Sequence, residues 1–172
     1  MIKNDFLSFE VGTIFNPLKG DYKRRKPKYR KVEIAFPSRL NAMAIDPSKI
    51  AHNENLVYTA GEVVFIVDIY LKVKVEIRKD KELIIDSNSK RHSLIRHAFL
   101  LMKKTLGFQG GMNISVQNTQ EIRHVGLGSS GRLVAAIASA INEIYGNPIP
   151  KLDLIRFLAQ NHGEETEFIN ML

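Results

Sequence analysis

Gly126-Leu127-Gly128-Ser129-Ser130-Gly131-Arg132-Leu133 is the stretch on which the reading of this chain turns. From Arg132 to Tyr145 the apolar residues Leu133, Ala136, Ile137, Ala140, Ile141 and Ile144 recur at helical spacing, and Gly146-Asn147-Pro148 ends the run. A glycine-serine loop therefore opens directly into an amphipathic helix. Its glycines let the backbone take positive φ and let a ligand come close. Ser129 and Ser130 can cap the free amides of the first turn. Those amides and the helix dipole together make a place for an anion such as phosphate. Arg132 carries the charge that the dipole disfavours at this end, and a bound phosphate would offset that cost. The same residues also suit an ordinary capped helix with a glycine-rich entry. They do not make a P-loop, because the lysine for the outer phosphates and the hydroxyl for magnesium are missing. No Gly-x-Ser-x-Gly is present, so a hydrolase nucleophile elbow is unsupported.

Working outward, Met112-Asn113-Ile114-Ser115-Val116 reads as a short strand just upstream. Before it, Leu94, Ile95, Ala98, Phe99, Met102 and Leu106 form one stripe of a helix over 93–106, terminated by Gly107. The clearest strand is Glu62 to Arg78, with Val63, Phe65, Val67, Ile69, Leu71, Val73, Val75 and Ile77 at every second position. Its other face starts apolar at Val64 and Ile66 and then turns polar, which predicts burial on both faces early and on one face later. Lys79-Asp80-Lys81 reads as a turn, and residues 82–86 as a returning strand. Val32, Ile34 and Phe36 alternate in a strand over 31–36 that Pro37 is expected to stop. Asp153 opens a third helix reaching about Gln160. Strands come first, then helices with a strand between them, which predicts a two-layer α+β domain with helices on one face of a mixed sheet. Residues 1–30, broken by Pro17, Gly20 and Pro27, read as an irregular lead-in, and 31–172 as the domain.

Composition fits one soluble domain: 172 residues, 44% apolar and 25% charged. The absence of cysteine excludes disulfides, thiolate metal sites and a cysteine nucleophile. With no signal-peptide pattern at Met1–Phe6 and no apolar run of membrane-spanning length, a cytoplasmic protein is expected. The formal charge of +7 is local. Lys19, Lys23, Arg24, Arg25, Lys26, Lys28, Arg30 and Lys31 stand against Asp21 alone, and the rest of the chain carries 17 basic and 17 acidic residues. Such a strip attracts polyphosphates, nucleic acid or an acidic surface, or is simply a solvated loop. Tyr22 and Tyr29 are thin support for RNA stacking.

The loop at Gly126–Ser130 resembles the second motif of the GHMP kinases, the galactokinase, homoserine kinase, mevalonate kinase and phosphomevalonate kinase family, in which a Gly-Leu-Gly-Ser-Ser-Ala-like loop opens a helix. Gly131-Arg132 replaces the usual pair of small residues, and His124-Val125 replaces a Pro- and Gly-containing lead-in. Upstream, Ala35-Phe36-Pro37-Ser38-Arg39-Leu40-Asn41 resembles the family's first motif, where a strand ends in Pro-Gly-Arg or Pro-Gly-Lys; here Ser38 replaces the glycine. The form is also similar to the archaeal β-ribofuranosylaminobenzene phosphate synthase branch.

The resemblance covers roughly residues 31–165 and implies the amino-terminal, ATP-binding domain of such a kinase, with a fold like that of ribosomal protein S5 domain 2. It implies ATP and Mg²⁺ as cofactors, held by Gly126, Leu127, Gly128, Ser129, Ser130, Gly131 and Arg132. Ser130 would help position magnesium, and Arg39 would act in catalysis, facing a small-molecule acceptor and the developing charge. The family's metal-binding glutamate, catalytic aspartate and third motif have no aligned counterpart. Glu164, Glu165 and Glu167 stand near where an acid is expected but also read as a solvated helix end, and Asp46 and Asp68 match no motif. Asp68, between apolar neighbours, is expected to be a candidate for burial. His52, His92, His97, His124 and His162 lack metal-ligand spacing.

The apolar end, Phe168-Ile169-Asn170-Met171-Leu172, suggests a domain whose second half lies elsewhere, on a partner chain or through self-association. The expectation is thus a kinase half that is weak or inactive alone. Beside it stand a synthase holding a phosphorylated sugar and a non-catalytic anion- or RNA-binding module using Lys19–Lys31.

Overall fold

Alternation along β2, Glu62–Ile77, produces the strand around which the sheet is built. In the computed structural model, residues 20, 22, 26–44, 62–118 and 129–161 are described. Their elements run β1 (Lys31–Ala44), β2, β3 (Leu83–Ile85), α1 (His92–Leu106), β4 (Met112–Asn118), α2 (Ser129–Ile144) and α3 (Lys151–Asn161). The strands form one sheet in the order β1-β2-β4-β3. β2 is antiparallel to both β1 and β4, whereas β3 runs parallel to β4. Leu71, Val73 and Val75 are buried beneath the helices, while Lys72 and Lys74 between them are exposed. The expected two-layer α+β architecture with a mixed sheet holds.

Both helical stripes read from the sequence form the core. Leu94, Ile95, Ala98, Phe99, Met102 and Leu106 of α1 are buried, as are Leu133, Ala136, Ile137, Ala140, Ile141 and Ile144 of α2. Each large apolar side chain so buried contributes about 1.5–3 kcal/mol relative to exposure. Gly107 ends α1 in the left-handed region at φ 68°, its N–H bonded to the Lys103 carbonyl. No helix of the described residues is long and apolar enough to cross a membrane.

Three expectations change. Pro37 does not end β1. The strand continues to Ala44 through a register shift between Pro37 and Ser38. A proline lacks the N–H for a second neighbour, and β1 is an edge strand that has only one. The first half of β2 is not buried on both faces. Val64, Phe65 and Ile66 are exposed, at 38%, 57% and 77%, because β4 pairs β2 only from Leu71 onward and the β1–β2 ribbon runs past it. Finally, β3 does not return along β2; β4 lies between them. Arg78 still fixes the intervening turn through both Asp80 carboxylate oxygens, and its Nη1 donates to Asn113 Oδ1 of β4 at 2.8 Å.

Candidate phosphate-binding site

The first turn of α2 sits against the turn that leads into α1. Ser129 opens the helix where sequence periodicity placed its start at Arg132, so both serines lie inside the helix rather than ahead of it. Arg91 precedes α1 in the left-handed region, φ 61° and ψ 49°, without a side-chain cap for that helix. A non-glycine residue held there costs roughly 1–2 kcal/mol. The conformation accompanies a specific contact. The Arg91 guanidinium donates to Ser129 Oγ at 3.2 Å and to Ser130 Oγ at 2.7 Å.

These residues border a cavity of about 60 Å³, and its walls come from four parts of the fold. Leu71 of β2 and Val116 and Asn118 of β4 supply the sheet side; Ser129, Arg132 and Leu133 supply the helix side; Asn88, Lys90 and Arg91 close it from the turn. At about 10–15 Å³ of such space per water, it holds a few waters or one phosphate group, not a nucleoside. Three of the lining side chains are cationic, and none of the described lining residues is a carboxylate. Arg132 is only 7% exposed and its Nη1 reaches the Ile69 carbonyl at 3.4 Å. The Asn118 Oδ1 atom is buried on the cavity wall with no hydrogen-bond partner among the described residues. Turned end for end, that amide would present a donor instead.

The sequence-derived candidates divide accordingly. Ser129 and Ser130 are half-buried at the cavity, Arg132 is buried beside it, and Gly131 is exposed on the first turn. Gly126, Leu127 and Gly128 lie outside the described residues, as do Asp46, His52, His124, His162, Glu164, Glu165, Glu167 and the 168–172 end. Arg39 is exposed on β1 opposite Ile66 and does not line the cavity. Asp68 is exposed, contrary to the expectation of burial, because it falls in the β1–β2 register shift on the uncovered ribbon. His97 is fully buried, with Nε2 2.7 Å from the Asn161 carbonyl, and so joins α1 to the end of α3. Of the basic strip, Lys26, Lys28, Arg30 and Lys31 are described and exposed.

Sequence reading missed Asn88, Lys90, Arg91 and Asn118. A signal existed for two of them. Lys90-Arg91 places two cations at a helix start, where the dipole disfavours them, and the same argument had already singled out Arg132.

Residues 93–167, which contain α1, β4, α2 and α3, match the family described as GHMP kinases N terminal domain. That match places this segment in the GHMP kinase family. Solved GHMP kinases share its fold. Homoserine kinase from Cytophaga hutchinsonii superposes with a TM-score of 0.58 at 20% identity, covering 78% of this chain and 41% of that one. Mevalonate kinase from Methanococcus jannaschii gives 0.58 at 13% identity, covering 76% and 45%. Phosphomevalonate kinase from Streptococcus pneumoniae gives 0.56 at 16% identity, covering 76% and 40%. The chain thus spans less than half the length of these kinases. No curated protein matches the sequence.

Proposed function

We propose that this chain is the phosphate-holding half of a GHMP-type small-molecule kinase, one that passes the terminal phosphoryl group of ATP to an alcohol or phosphate of a small metabolite. The observation that carries this reading is the convergence of Lys90, Arg91 and Arg132 with Ser129 and Ser130 on one phosphate-sized cavity at the start of α2. Phosphoryl transfer depends mainly on positioning and charge neutralisation, and helix amides with guanidinium groups supply both. The cavity admits one phosphate group, so in this reading the rest of the nucleotide lies against the loop that precedes Ser129. Arg39 stays a proposal for the acceptor side. Transfer itself requires a second half, since the related kinases are more than twice as long.

Magnesium fits the described residues poorly. Ser130 Oγ accepts a hydrogen bond from Arg91, and the charged lining is cationic. Among the described residues there is no group of His, Cys, Asp or Glu able to hold a metal. No step is therefore derived through a metal.

The test is a thermal-shift titration of the full chain with ATP, with phosphoribosyl pyrophosphate in parallel. Stabilisation by ATP that Ser130→Ala weakens is the expected outcome. Stabilisation by the sugar phosphate alone would favour the synthase reading, and none by either would reject a phosphate site.

A further inference from the structure

Resting on the phosphate reading above, we infer that the cavity binds the phosphate group as a free anion, with the Arg91 guanidinium in the role that a divalent cation would otherwise fill. Three independent features support it. Arg91 spans both serine hydroxyls, at 3.2 and 2.7 Å, so a fixed cation already faces the oxygens at the helix start. Lys90 and Arg132 bring two further cations to the same cavity, Arg132 from a position 93% buried by its 7% exposure. The buried Asn118 amide, with no partner for Oδ1 among the described residues, stands on the opposite wall and can turn its NH₂ toward an anion.

Charge decides between the candidate occupants. A phosphate group with two negative charges is attracted by all three cations and by the amides of α2. A divalent cation is repelled by the same three groups, and the repulsion is stronger at a half-buried site than in water. A guanidinium also offers paired N–H donors in one plane, which match two phosphate oxygens as a metal ion would bridge them. Arg91 has this geometry because its backbone is held at positive φ, which turns the side chain from α1 toward α2.

The test is isothermal titration of the full chain with tripolyphosphate and with ATP, once in excess EDTA and once in millimolar magnesium. Binding in EDTA at least as tight as in magnesium is the expected result. Arg91→Gln should weaken binding in EDTA by about tenfold or more, in keeping with the loss of charge-assisted hydrogen bonds. Arg91→Lys should restore part of it. Lys90 is exposed, so Lys90→Gln serves as a second variant that tests the charge without disturbing the fold, with an expected loss of about severalfold. Binding that appears with magnesium and vanishes in EDTA overturns the inference while leaving the phosphate reading intact. No binding under either condition overturns both.

Discussion

Ser38 and Arg132 donate to the same carbonyl, that of Ile69, from Oγ at 2.8 Å and from Nη1 at 3.4 Å. The two stretches of sequence that resemble kinase motifs are thereby joined through one backbone atom of β2. Ile69 falls in the register shift opposite Ser38 and has no Cα partner in β1, so side chains reach a carbonyl that a regular ladder would have engaged. Ser38 is 1% exposed, and its hydroxyl is used where the family pattern has glycine. Ser38→Ala should cost about 1 kcal/mol, as expected for one net hydrogen bond. The double variant with Arg132→Gln should cost more than the two singles together, by about 1 kcal/mol, because the carbonyl then loses both donors. Urea denaturation of the four proteins measures the coupling, and simple additivity would show that the shared carbonyl is energetically irrelevant.

Asn142 behaves as a second peptide group at the end of α2. Its Nδ2 donates to the Ile149 carbonyl at 2.9 Å, and the Ile149 N–H donates to its Oδ1 at 3.2 Å. This brace holds the turn at Gly146 and Asn147, both at positive φ. Asn142→Ala leaves two buried backbone groups unsatisfied and should lower stability by about 2–4 kcal/mol. A loss below half a kcal/mol in denaturant titration would mean that water replaces the brace.

Two glycines predict opposite signs. A Cβ at Gly131 would meet nothing within 4 Å, so Gly131→Ala should raise stability by about 0.5–1 kcal/mol through helix propensity. A Cβ at Gly111 would collide with the Glu82 backbone, which has no side-chain freedom to yield. Gly111→Ala should therefore cost about 2–3 kcal/mol and loosen the join between β4 and the segment before β3. Thermal unfolding of the two variants side by side reads both signs.

Tyr145 supplies the pH dependence. Its ring stacks on Phe108 with centroids 5.2 Å apart, and burial pushes its phenol up to about 12. An unfolded tyrosine titrates near about 10. Stability from this group is thus complete below about pH 10 and declines above it, as the unfolded chain releases its proton first. The decline ends as pH passes the folded value of about 12. Tyr145→Phe should remove about 2–3 kcal/mol of the alkaline slope while changing little at neutral pH. Equal slopes in the two proteins between these limits would refute the assignment.

Much of the fold was legible because helix and strand periods are local. The stripes of α1 and α2 and the alternation of β2 named their buried residues directly, since burial on one side repeats at the pitch of the element. Strand order was not legible. Nothing in residues 83–85 states that β4, more than twenty positions later, would pair β2 and leave β3 outside it. The same limit explains Val64, Phe65 and Ile66, whose apolar pattern predicts burial although no described element extends over the ribbon to cover them.

The sequence by itself determined that a glycine-serine loop opens an amphipathic helix, with Ser129, Ser130 and Arg132 at its start, because capping and periodicity act over a few neighbouring residues. Only the tertiary structure decided what faces that start. Lys90 and Arg91 reach it from the entry to α1, and Asn118 from the end of β4, because packing α1 beside α2 over the sheet brings together residues that the chain separates. Charge assembled in this way depends on distance through space, which spacing along the chain does not encode.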